Sequence, residues 1–427
     1  MVKIIGAGLA GSEVAYHLAQ NGIKVKLYEM RNKVKTPVHQ TNKFAELVCS
    51  NSLRSNDPLN AVGMLKEEMQ MLGSLIIESA LKFQVPAGSS LAVDRTYFSD
   101  YITEKIKNHP NIEIFNEEVT ELNPDEVTII AAGPLASDNL FKVINQKVAL
   151  DDLHFFDAVA PIISAESINM EKAYLKSRYD KGEAAYINCP MTKEEYDIFY
   201  DELMKAEKVI PKDFENNVFE GCMPIEVMAQ RGKETLTFGP LKPVGLEHEG
   251  KRYHAVVQLR QDDAKKTMYN MVGFQTQLTW PEQKRIIQLI PGLENAVILR
   301  YGVIHRNTYL ESPKILNSGY QVKHTPNWFF AGQISGVEGY VESAASGLVA
   351  ALSVLSYLKK EEFKPLPKDT MIGAMARYIS TPNKSFVPMN ANLGLLDQLE
   401  EKHKKKDRKQ LYHDRAINAL KVYLDEK

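Results

Sequence analysis

The chain has 427 residues, 44% hydrophobic and 25% charged, with a formal net charge of −2 at neutral pH. That length accommodates two or three domains with sizeable cores, and the composition is ordinary for a globular protein. The small net charge excludes a global pull toward nucleic acid, so any RNA or DNA contact must use local basic patches.

In chain order, VKII reads as a short buried strand, GAGLAG as a tight turn, SEVAYHLAQNG as a helix ending at Gly22, and KVKLYEM as a second strand. Together they make a βαβ unit. Residues 60–82 have helical periodicity, and 97–107 predict another helix. NIEIFNEEV and EVTIIAAG read as strands. Residues 151–295 form an α+β segment of shorter elements, with Pro- and Gly-rich breaks at 239–245 and 291–292. Strand-like WFFAG then leads through a glycine-rich turn into the small-residue helix ESAASGLVAALSVLSYL. The tail carries a basic run, HKKKDRK at 403–409, which reads equally as a solvated helix face or a polyanion contact.

Three cysteines, at 49, 189 and 222, do not form a disulfide framework and read as reduced intracellular thiols. No signal peptide is expected at the start, and no apolar run reaches the roughly 18 residues that span a bilayer. The expected location is the cytoplasm. The histidines lack ligand spacing and no C-x-x-C occurs, so no metal is expected.

Gly6, Gly8 and Gly11 match G-x-G-x-x-G between strand and helix, and Ala7, Leu9 and Ala10 complete the turn. Such glycines permit the turn, a close backbone approach to pyrophosphate, and tight helix–strand packing. The following helix presents free N–H groups to phosphates. Glu29 ends the second strand, where a carboxylate accepts hydrogen bonds from a ribose diol. NWFFAGQISGVEGYVESAASGLVAA, with Gly332, Gly336, Val337 and Gly339, resembles the closing motif of two-dinucleotide-type flavoproteins, and TIIAAGP at 128–134 is similar to their middle motif. Three motifs in this order favour FAD over NAD. The expected fold is therefore α/β. A Rossmann-like, glutathione-reductase-type FAD-binding domain (1–150 and 296–427, ending in a basic helical tail) carries an inserted α+β domain at 151–295 for substrate or RNA.

Long stretches, among them GAGLAGSE, KFAELVCSNSLRSN, PAGSSLAVDR, YLKSRYDKGEAAYINCPM, FEGCMPIEVMAQRG, AVVQLRQD and RYGVIHRNTY, resemble the bacterial folate- and FAD-dependent tRNA (uracil-5-)-methyltransferases. The resemblance runs from residue 1 to about 395. It implies transfer of a methylene group from 5,10-methylenetetrahydrofolate to C5 of a T-loop uridine, at tRNA position 54, with NAD(P)H as reductant. Some relatives modify a uridine of 23S ribosomal RNA, and that choice of target stays open. A plain NAD(P)H-dependent flavin oxidoreductase is the rival reading, but it leaves both cysteine stretches unused.

The chemistry needs a nucleophile at C6 of uracil to make C5 enolate-like, and a thiolate suits that role. Cys222 is the expected attacker. Cys49, in the polar stretch ELVCSNSLRSN, is expected beside the flavin with Arg54 favouring a thiolate, although the two roles are exchangeable. Cys189 reads as structural. His305, Arg306 and Asn307 are candidates for folate or for a strand end, and Arg95 and Arg178 for folate or RNA. Lys404, Lys405 and Lys406 are candidates for RNA phosphates.

Overall fold

Four short apolar strands whose residues are almost all buried, Val2–Ile5, Val25–Tyr28, Thr128–Ile130 and Trp328–Phe330, form a parallel sheet with Ile112–Phe115 at one edge. The spatial order starts at Trp328–Phe330 and runs through Thr128–Ile130, Val2–Ile5 and Val25–Tyr28 to Ile112–Phe115. A strand arriving some 200 residues after its neighbour thus completes the sheet, as a discontinuous domain requires. Largely apolar strands of this kind, interrupted by Lys3, Lys26 and Thr128, suit a sheet covered on both faces. The computed structural model describes residues 1–36, 38–148, 153–209, 223–383, 386–400 and 403–426, with the side chains at 147, 153–157, 305 and 306 excepted.

The first helix, Leu9–Gln20, packs against the long helix Tyr340–Lys359. That long helix is apolar enough to cross a membrane by length and composition, which the sequence reading had not anticipated. Here 72% of its most apolar window is buried inside the protein. Residues 60–82 make two helices where one was expected, Ala61–Met71 and Leu75–Lys82. The break has a local cause: Gly73 takes a left-handed φ of +78°, and the Ser74 hydroxyl caps the second helix by accepting from the Ile77 N–H.

The inserted segment is built on a six-stranded antiparallel sheet. Its order is Tyr174–Leu175, Tyr186–Met191, Ala255–Gln261, Met268–Met271, Ile162–Ser164, Ile298–Arg300. The last of these lies beyond the expected boundary at 295 and completes the inserted sheet by pairing with Ile162 and Ile163. This part has its own core, in which Cys189 sits fully buried among Ile187, Phe199, Leu259, Phe274 and Ile286. Burial pushes that thiol up to about 12, so it is an inert, packed group. The chain enters and leaves the insert along one antiparallel ribbon, Leu153–Ala158 against Ile304–Tyr309.

Candidate active site

A cavity of about 600 Å³ lies between the parallel-sheet domain and the insert, and all three glycine-bearing segments reach it. Gly6, Gly8, Leu9 and Ala10 line it. An added Cβ at Gly8 would meet nothing within 4 Å, whereas one at Gly11 would stand 1.8 Å from the Gly6 carbonyl oxygen. Gly11 is thus needed for packing, and Gly8 keeps backbone bare toward the cavity. The helices Leu9–Gln20 and Tyr340–Lys359 both lack a side-chain cap, which leaves their first N–H groups for whatever occupies this space. Glu29 lines the same end, with its Oε2 accepting from the Ala7 N–H at 2.9 Å and its Oε1 from the Arg31 N–H at 3.0 Å. Burial alone would raise its carboxyl, but the Arg31 guanidinium outweighs that and holds it below the usual carboxylate range. Of the closing residues, Gly332 and Gly339 line the cavity. Gly336 packs on the Phe386 ring, and buried Val337 bridges to Met389.

Cys49 lines the other end of the cavity, half-buried, on a loop pinned from several directions. Its N–H donates to the Tyr340 hydroxyl at 2.6 Å. Arg95 donates to the Leu47 carbonyl at 2.6 Å and forms a bidentate pair with Asp262 at 2.7 and 2.8 Å. Arg300 donates to the carbonyls of Val48 and Val38. Arg260 donates to Asn51 Oδ1 at 3.0 Å and to the Ser50 hydroxyl. These three guanidiniums all lie within coulombic reach of the Cys49 thiol. Arg54 is instead paired with buried Glu342 of the long helix.

A glycine-lined cradle and a thiol among arginines thus share one cavity, and comparison with known proteins identifies the family. The family model for glucose inhibited division protein A matches residues 1–362. A methylenetetrahydrofolate--tRNA-(uracil-5-)-methyltransferase TrmFO of Acholeplasma laidlawii is 68% identical over 100% of this chain and 99% of its own length. The chain belongs to the TrmFO/GidA family. The TrmFO of Bacillus subtilis is 59% identical over 99% of this chain and 98% of its own. Among solved structures, the GidA of Aquifex aeolicus superposes with a TM-score of 0.73 at 17% identity, covering 100% of this chain and 73% of that one, which supports the fold.

Within this TrmFO/GidA frame the remaining candidates fall in different places. Cys222 lies outside the described residues, while its sequence neighbour Met223 lines the cavity. Arg95 is a strut between the two parts of the molecule. Arg178 donates to the carbonyls of Val244 and Lys242 and to Gln258 Oε1, clamping a loop of the insert. His305, Arg306 and Asn307 lie on the ribbon, and Asn307 is 1% exposed with neither side-chain amide atom hydrogen-bonded to the described residues. Lys404, Lys405 and Lys406 are exposed just before the last helix, Arg408–Asp425. Among the described residues no group of three His, Cys, Asp or Glu side chains is placed to hold a metal ion. Sequence reasoning passed over Arg260, Arg300 and Tyr340. The available signal was a charged side chain inside AVVQLRQ, a strand that proves buried along its whole length.

Proposed function

We propose that the protein transfers a one-carbon unit from 5,10-methylenetetrahydrofolate to C5 of a uridine in structured RNA, the T-loop uridine of tRNA, in the cytoplasm. The observation that carries this reading is the shared cavity, in which the dinucleotide cradle and the arginine-ringed Cys49 loop face one space. FAD fits the cradle, because Gly8, Gly332 and Gly339 leave backbone bare along the cavity and uncapped helix starts face it. When bound, it supplies the two-electron chemistry that NAD(P)H feeds.

The protein's own groups have separate tasks. Glu29 and the Gly6–Gly11 turn hold the nucleotide end. Cys222 adds as a thiolate to C6 of the target uracil, forming an S–C6 bond and moving the C5=C6 π pair toward C5, which then bonds to the carbon unit. Cys49 assists loss of the C5 proton, the bond from the transferred carbon to its carrier nitrogen then breaks to leave an exocyclic methylene at C5, and that methylene takes up the hydride equivalent that NAD(P)H provides as the C6 thiolate is expelled. The target base leaves its stack to reach the cavity, at a cost of a few kcal/mol.

Label from methylene-labelled folate should appear in an unmodified tRNA transcript only when reductant is present, and mapping should place it in the T-loop. Label in 23S ribosomal RNA instead would change the target. Flavin turnover without label in any RNA would favour the oxidoreductase. With 5-fluorouridine-substituted transcript, the Cys49→Ala enzyme should still form a covalent complex and Cys222→Ala should not. The opposite pattern would exchange the two roles.

A further inference from the structure

Arg260 is 7% exposed and makes no ion pair among the described residues, since the nearby Asp262 is taken by Arg95. One edge of its guanidinium holds the Cys49 loop through Ser50 and Asn51, and the Nη1 group makes no hydrogen bond to the described residues. Directly opposite Arg260 on the neighbouring strand is Asn270, so both side chains share one sheet face. Asn270 is 3% exposed, its Oδ1 accepts from Arg260 Nη2 at 3.4 Å, and its buried amide nitrogen has no partner among the described residues. Both residues line the cavity.

Buried donors are rarely left unmade, and a buried cation without a carboxylate is costly. A fork and an amide with donors to spare, side by side on a cavity wall, call for a ligand oxygen that carries negative charge. The neighbouring wall is apolar, with Met223, Met228, Met271, Val272 and Pro240. That suits a flat ring bearing one such oxygen better than a phosphate, which needs more donors around it.

Building on the function proposed above, we propose that Arg260 and Asn270 bind the C4 oxygen of the target uracil and stabilise the negative charge it gains during attack. When the thiolate bonds to C6, the C5=C6 π pair shifts into a C4=C5 bond and the C4=O π pair moves onto O4. When C5 attacks the carbon unit, that pair returns and the carbonyl reforms. Donors held in place at the developing oxyanion lower the barrier in both directions. Arg260 therefore has two tasks, holding the Cys49 loop with one edge and the oxyanion with the other. The insert thereby contributes to the chemistry.

The same cyclic imide chemistry occurs in the flavin ring, and the test separates the two. Arg260→Gln, Arg260→Lys and Asn270→Ala enzymes are compared with wild type in four measurements. These are bound FAD per chain, the rate of flavin reduction by NADPH, RNA affinity, and single-turnover label transfer to unmodified tRNA transcript. The expected result for Arg260→Gln is retained FAD, with flavin reduction and RNA affinity within about threefold and transfer slowed about 100-fold or more. Arg260→Lys should recover part of the loss. Asn270→Ala should slow transfer about tenfold, and it carries the test alone if Arg260→Gln fails to retain FAD. Covalent capture of 5-fluorouridine RNA should slow in parallel, because it requires the same attack at C6. Loss of flavin reduction in step with transfer would assign the pair to the cofactor and overturn the proposal, as would transfer within threefold of wild type. A wild-type enzyme that moves no label would instead overturn the function on which the proposal rests.

Discussion

At the scale of single residues, the Cys49 loop is held by contacts the chain makes over long distances. The Arg260–Ser50 bond spans 210 positions, Arg300–Val48 spans 252, and the Tyr340 bond to Cys49 spans 291. Arg95 has a further duty, because its partner Asp262 has a fully buried side chain. Removing one member of a buried pair leaves the other charge uncompensated. Arg95→Ala should therefore destabilise the protein by about 3–5 kcal/mol in chemical denaturation. Removing both charges together, as Arg95→Met with Asp262→Leu, should recover much of the loss. RNA affinity measured per folded molecule should stay near wild type if Arg95 acts as a strut, and a large drop would restore its candidacy as an RNA contact. These partnerships were not legible beforehand, since neither propensity nor spacing says which of many arginines will meet a loop 200 residues away. The turn at GAGLAG and the place of Glu29 after the second strand were legible because their reasons are local: glycines between a strand and a helix, and a strand end.

At the scale of elements, two helices begin on buried carboxylates that come from elsewhere in the fold. Glu13 accepts from the N–H groups of Leu75 and Ile76 at 3.0 and 3.1 Å, and from the Ser74 hydroxyl at 2.7 Å. Glu68 accepts from those of Met371 and Ile372 at 2.7 and 2.8 Å, where the helix Met371–Ser380 starts. An acid at a helix start is favourable, but full burial is the larger effect and raises both carboxyls to about 7. The folded state thus holds protons on these groups that the unfolded chain releases near pH 4.5. Their stabilising contribution is complete below that value and is lost as pH rises toward 7. Urea unfolding between pH 4.5 and 7.5 should show this fall, and the Glu13→Gln/Glu68→Gln variant, which keeps an acceptor without a titration, should flatten it. The helical periodicity of 60–82 was readable from the sequence. The break was not, because Gly73 and Ser74 are tolerated inside many helices and neither residue type announces that here the first turns left-handed and the second caps a new helix.

At the scale of the whole molecule, the net charge of −2 leaves RNA attraction to local groups. Lys404, Lys405 and Lys406 are exposed where the last helix docks on Ala61–Met71, with Lys409 donating to Asn60 at 2.7 Å and His413 paired with Glu67 at 2.7 Å. Replacing the three lysines by glutamine should weaken tRNA binding and lower the magnitude of its log–log salt slope by up to about 2–3. An unchanged slope would return this tail to the role of a solvated surface. That strands from both ends of the chain share one sheet was readable because the glycine-rich motifs stand at both ends. The exact limit of the insert was not, because Ile298–Arg300 is too short a strand to announce its pairing with Ile162–Ile163.

That architecture also sets an order of events during synthesis. The sheet gains Trp328–Phe330 beside Thr128–Ile130 only after the intervening residues have left the ribosome. The helix Tyr340–Lys359 then settles so closely on the first helix that a Cβ at Gly347 would stand 2.6 Å from the Ala10 carbonyl oxygen. The nascent N-terminal half therefore waits with an open coenzyme cradle while the insert is being made. A polypeptide ended at Pro326 should emerge colourless, and the yellow holoprotein should form only late in translation or after release.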